Sequence, residues 1–410
     1  MKRFEIILLF LLMMLAVNVV QAQTYGLQIS NKKGRTTIPF KTFNNLIIIQ
    51  VSINHSDSMN FIVDTGVRNT ILIEKTIADE MGLEYSRTIE ILGAASDQII
   101  IGHIVNKVLF EAVGLAGNIH SLLVIEDDFI KLENYFGRKI HGIIGYDLFR
   151  SFIVKINYDR KEIKLYRPEN FKAPRFYTKI NFEQKNSKPY IDVLLTIDDS
   201  TKIKSHLMID LGASHSSLLE LKNRNKIKLP EKYITSSPGR GLGGKIEGYK
   251  ARIKRIDIDK FKFKNVIVSF AEPNTLRDSV FRLTRDGTLG GEIMSRFHVI
   301  FNYFDNSIYL KKNKNYRIPF EYNLCGINLM IVEMGFNAYL VDEIIEGSPA
   351  DHAGIKVGDY LKEINHIPTH KMSYDEITGI FLSRPKRRLH LLLNRNGKDI
   401  IIKLRLKRQI

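Results

Sequence analysis

The segment FIVDTGVRNTILIE, Phe61 to Glu74, drives an apolar run into an aspartate, turns on a glycine two residues later and then becomes apolar again. The pattern returns 146 residues on as LMIDLGASHSSLLE, Leu207 to Glu220. A carboxylate held at the end of a buried strand needs a sharp turn behind it, and glycine supplies the permissive backbone. Gly66 and Gly212 take that place after Asp64 and Asp210. A single Asp-x-Gly commonly marks a surface turn; two, each between apolar stretches, call for one explanation.

A second pair of segments recurs at nearly the same spacing. GIIGYDLFRSFIVKINYDRKEIKLY begins at Gly142 and GTLGGEIMSRFHVIFNYFDNSIYLK at Gly287, 145 residues apart, with Gly145/Gly290, Phe152/Phe297, Asn157/Asn302 and Tyr158/Tyr303 identical in register. Separate segments repeating at a constant offset predict a duplicated domain. Short runs such as LIIIQVSI, FIVKINYD, YIDVLLTI and VIVSFAE, rich in Ile, Val, Phe and Tyr and bounded by turn residues, predict that each copy is mainly β. A short helix is expected after each aspartate segment; in the first copy it runs through EKTIADEMG and ends at Gly82. RPENFKAPRF, with two prolines, reads as the linker, which gives copies over 23–168 and 169–313.

Beyond Asn313 the character changes. Ser348-Pro349 opens a short helix that Gly354 closes, Ser373 and Glu376 stand at capping-box spacing, and Asn396-Gly397 joins two final strands. These signals define a compact third domain over 314–410.

The 410 residues suffice for several buried cores, and 44% hydrophobic against 26% charged residues is a globular composition. Lys2 and Arg3, the apolar run behind them and the small-residue site Val20-Gln21-Ala22 predict a secretory signal over 1–22, cleaved after Ala22. The lone cysteine, Cys325, excludes an internal disulfide and reads as a small packing residue. A formal charge of +17 favours acidic peptides or weak association with an anionic membrane surface. The cations are scattered and no groove-reading motif accompanies them, so nucleic acid is not an expected partner. The histidines lack metal-ligand spacing, so neither metal nor cofactor is expected.

If the two copies face each other about a pseudo-two-fold axis, Asp64 and Asp210 meet. Two carboxyl groups that close share a proton, so one can take a proton from water while the other donates to an amide carbonyl.

On these two Asp-x-Gly segments and the later Ile143-Ile144-Gly145 and Thr288-Leu289-Gly290, the chain from about 40 to 312 resembles the retropepsin-like aspartic proteases, with two copies fused. The resemblance implies two pseudo-symmetric pepsin/retropepsin-like β-barrel domains, a catalytic pair Asp64 and Asp210, and positioning roles for Thr65, Gly66, Gly212 and Ser214. It implies that the apolar-apolar-Gly strand packs beneath each aspartate loop, and that β-hairpin flaps lie around Gly93 and Gly241. Two departures stand out: Leu211 lacks the hydroxyl the family carries after the aspartate, and Arg68 would depress the Asp64 pKa if it pointed inward. The C-terminal stretch EGSPADHAGIKVGDYLKEINHIP resembles bacterial PDZ domains, which implies capture of an extended C-terminal peptide with its carboxylate at Gly326 and Ile327. The expectation is therefore a periplasmic or secreted Gram-negative endopeptidase acting on peptide or protein substrates. The alternatives are an inactive peptide-binding protein that uses the same cleft and PDZ groove, and a structural platform anchored by its PDZ domain.

Overall fold

The computed structural model describes residues 26–92, 99–126, 133, 137–221, 227–241, 244–272, 285–333 and 338–410. The expected signal segment, the Gly93 hairpin tip and the helix expected after Glu220 lie outside these residues. The chain is mainly β, with barrel-like sheets followed by a separate C-terminal sheet.

In the first lobe the strand Met59–Val63, which delivers Asp64, lies between Leu46–Ile53 and Gly142–Ile144. Pairing continues through Thr70–Ile73 and Leu115–Ile125 to Ile99–Ala112, which returns to Leu46–Ile53 and closes the sheet. In the second lobe Lys202–Ile209, which delivers Asp210, lies between Lys188–Thr196 and Gly287–Leu289. From there the path runs through Ser217–Glu220, Phe261–Ala271 and Gly248–Ile258 back to Lys188–Thr196. Closure leaves few strand edges unpaired and turns alternate apolar residues inward. Phe61, Val63, Ile49, Leu207, Ile209 and Phe270 are all buried in one continuous core. Each such side chain contributes about 1.5–3 kcal/mol by leaving water.

A six-stranded antiparallel sheet joins the lobes in the order Thr178–Asn181, Ser307–Lys312, Phe297–Asn302, Ile153–Asn157, Glu162–Tyr166, Arg35–Pro39. Each lobe supplies three strands, and at the central junction Lys155 pairs with Ile300, the residue 145 positions further on. The expected short helix forms over Lys75–Glu80, and Gly82 ends it with φ +64. Gly239–Gly241 and Gly244–Ile246 pair as a hairpin at the second expected flap.

The C-terminal domain has a sheet ordered Ile327–Glu333, Ala338–Ile344, Tyr360–Ile364, Arg388–Arg395, Lys398–Arg405. Ser348 caps the helix Pro349–His352, and Ser373 with Glu376 forms a complete capping box on Tyr374–Phe381. Asn396 and Gly397 both take positive φ in the last hairpin, as a two-residue turn requires. Cys325 is buried in this domain's own core.

Candidate active site

The Asp64 N–H donates to the Ile144 carbonyl and the Asp210 N–H to the Leu289 carbonyl, each at 2.9 Å, so the apolar-apolar-Gly strands underpin both aspartates. Each carboxyl accepts the N–H of the glycine two residues on: Gly66 to Asp64 Oδ1 at 2.5 Å and Gly212 to Asp210 Oδ1 at 2.9 Å. Glycine is required here by space. A side chain on Gly66 would lie 3.0 Å from Asp64 Oδ1 and 3.2 Å from Asp210 Oδ1, and one on Gly212 would overlap the Asp64 carboxyl. The two acids, from different lobes, therefore meet at the same pair of glycines, with both carboxyl groups beside Gly66.

Burial raises the Asp64 pKa well above the usual carboxylate value, and the neighbouring Asp210 charge raises it further. The Gly66 N–H and the Lys188 ammonium pull in the opposite direction. Two acids so arranged cannot both ionise cheaply, so a proton stays between them.

Thr65 ties the loops across the interface. Its hydroxyl donates to the Ile209 carbonyl at 2.8 Å and accepts the Leu211 N–H at 3.1 Å. Leu211 is buried and brings only its backbone and apolar surface to this brace. Ser214 acts through its carbonyl, which accepts from Asn45 Nδ2 at 3.1 Å. Arg68 is exposed, and the cation that lowers the Asp64 pKa is Lys188. Tyr303, which the sequence marked only as a repeat position, lies near the site: among the described residues its buried hydroxyl has no hydrogen-bond partner, and it feels the Asp64 charge. Among the described residues, no three His, Cys, Asp or Glu side chains gather as metal donors.

Residues 193–293, which hold Asp210 and its supporting strands, match the family of aspartyl proteases. Residues 340–395 match the PDZ domain family. An aspartyl protease domain and a C-terminal PDZ domain thus share this chain. No curated protein matches it.

In the PDZ domain, Ile327–Glu333 is an edge strand, paired on one side only among the described residues, the kind of edge to which a peptide strand adds. Two of its carbonyls and the N–H that precedes it are engaged by side chains of the same domain. The Gly326 N–H donates to Asn323 Oδ1 at 2.9 Å, Asn323 Nδ2 donates to the Ile327 carbonyl at 2.7 Å, and the Tyr374 hydroxyl donates to the Leu329 carbonyl at 3.4 Å. Gly326 has φ +89 and lies against Ser348, so a side chain there would meet both strain and a clash. The domain touches both lobes. Tyr374 packs on Phe43 with ring centroids 5.5 Å apart, and Ile331 lies against Gly137. On the other lobe Tyr322 meets Ser236, and Arg252 donates to the Phe320 carbonyl at 2.9 Å.

Proposed function

We propose that this chain is an exported aspartic endopeptidase that cuts extended peptide segments with a water activated between Asp64 and Asp210. The meeting of the two carboxyl groups across the lobes, with Asp64 driven toward its protonated form, carries this reading. The water loses a proton to the Asp210 carboxylate as its oxygen attacks the scissile carbonyl carbon. Asp64 gives its proton to the carbonyl oxygen, forming a neutral tetrahedral diol. Return of a proton to the amide nitrogen lets the C–N bond break. Thr65, Gly66, Gly212 and Ser214 hold the loops that present the pair, and the hairpin at Gly241 covers the bound segment.

The lobes at 23–168 and 169–313 are, in this proposal, two copies about a pseudo-two-fold axis. The Lys155–Ile300 pairing and the matching order of strands in the two barrels support it. Export to the periplasm or outside rests on the N-terminal sequence, with loss of residues 1–22. The PDZ domain at 314–410 takes a C-terminal peptide at Gly326 and Ile327 once Asn323 and Tyr374 release the edge strand.

The competing reading, a peptide-binding protein that does not cut, draws on Leu211, which leaves a single hydroxyl to brace both loops. Wild type, Asp64→Asn and Asp210→Asn, incubated with a denatured protein mixture at acidic and neutral pH, separate the two. Cleavage by wild type alone is expected. A wild type that binds the mixture without cutting it overturns the peptidase reading.

A further inference from the structure

Lys188 is brought to the dyad by strand register. Lys185 pairs with Lys188 across the two-residue turn Asn186-Ser187, whose φ values of 50° and 69° set a tight hairpin. Lys188–Thr196 then runs antiparallel to Lys202–Ile209 with Tyr190 opposite Met208. Continuing that register by two residues sets Lys188 opposite Asp210, and directly opposed residues project from the same face of a sheet. The first lobe repeats the arrangement around Asn44-Asn45, with Ile48 opposite Ile62, so that Leu46 stands opposite Asp64. One lobe thus sets an apolar side chain beside its aspartate and the other a cation.

The hairpin is held in place. Gln184 Nε2 donates to the Tyr146 hydroxyl of the opposite lobe at 3.1 Å, and Tyr146 packs on Tyr303 with centroids 5.7 Å apart. The neighbouring charges are otherwise matched: Lys185 with Glu183 at 2.9 Å, and Arg285 with Glu220 at 2.9 Å. Among the described residues, no carboxylate lies within ion-pairing distance of Lys188. Burial and the repulsion of Arg285 hold Lys188 below the ordinary lysine value, while Asp210 and Asp64 raise it again. Its charge is therefore compensated chiefly by the dyad.

We propose that Lys188 is a positioning residue that sets the pH range over which the Asp64–Asp210 pair holds a single proton, moving that range to lower pH than two facing carboxyl groups alone would have. The inference deepens the peptidase reading and rests on it for its catalytic meaning. Beyond ion-pairing distance the cation acts on the pair by Coulomb attraction alone, which favours the charged carboxylate and so lowers the pH at which the shared proton is lost.

The test pairs two measurements on Lys188→Met, Lys188→Gln and Lys188→Arg. One is the pH profile of peptide cleavage. The other is a carbon-13 NMR titration of the aspartate carboxyl groups, which reads protonation whether or not the protein cuts. Loss of the cation is expected to move both limbs of the profile and the dyad titration upward by about one pH unit, with Arg keeping the wild-type values. Titrations that superimpose in wild type and in whichever neutral variant folds overturn the proposal. A shifted titration in a protein that cleaves nothing at any pH upholds the role of Lys188 and rejects the peptidase reading instead.

Discussion

Thr65 makes both cross-lobe bonds with one hydroxyl, donating to Ile209 and accepting from Leu211, while the residue at the equivalent place is a buried leucine. Thr65→Val would strand the Ile209 carbonyl and the Leu211 N–H in a dry interface. A loss of about 1–3 kcal/mol is expected in urea unfolding, with Thr65→Ser restoring most of it. Asp64 carries the opposite kind of effect. Its folded pKa lies above that of the unfolded chain, so the stability it contributes is complete below the ordinary carboxylate value of 3.8 and is lost as pH rises toward the raised folded value. Asp64→Asn removes that loss. Its melting temperature is expected to gain on wild type as pH rises from about 4 to 8, and calorimetry across that range checks it. Asp64, Asp210 and their glycines were legible in the sequence because their chemistry is written in adjacent residues. Lys188 was not, because its place depends on which strand lies beside which.

At the scale of elements, helix ends and turns were the most legible features, since capping is a local contest for backbone hydrogen bonds. Ser373 accepts the Glu376 N–H, and Glu376 Oε2 accepts the Ser373 N–H at 2.7 Å, as the spacing of the two residues implied. Ser373→Ala is expected to lower the stability of the PDZ domain by about 1 kcal/mol, read from its denaturant midpoint. Strand partners were a different matter. Gly142–Ile144 and Gly287–Leu289 are only three residues long, yet each sits between two strands, parallel to one and antiparallel to the other. No run so short announces two partners, because its hydrogen bonds go to residues about 70 to 80 positions away.

Across the whole molecule, the PDZ domain holds to both lobes, and Arg252 is the hub on one side. Its guanidinium reaches the carbonyls of Asn265 at 2.6 Å and Phe320 at 2.9 Å and stands 3.5 Å from Glu321, which also binds Arg408. Arg252→Met is expected to weaken this junction by about 1.5–3 kcal/mol. Scanning calorimetry should then resolve the PDZ domain as a separate, earlier transition; a single unchanged transition would show that the remaining contacts, Phe43–Tyr374 and Ser236–Tyr322 among them, suffice to hold it.

The sequence by itself determined the chemistry available to this protein: two aspartates on strand ends, glycines behind them, a β-rich body and a capped α+β domain at the end. These follow from patterns of neighbouring residues, where backbone conformation and apolar periodicity act over a few positions. Tertiary structure alone decided that Thr65 braces both loops, that Lys188 stands beside the dyad, that Arg68 faces solvent and that Asn323 occupies the Gly326 N–H. Each of those outcomes depends on distant strands closing into barrels, and register across a sheet is set by the packing of whole faces rather than by any single stretch of chain.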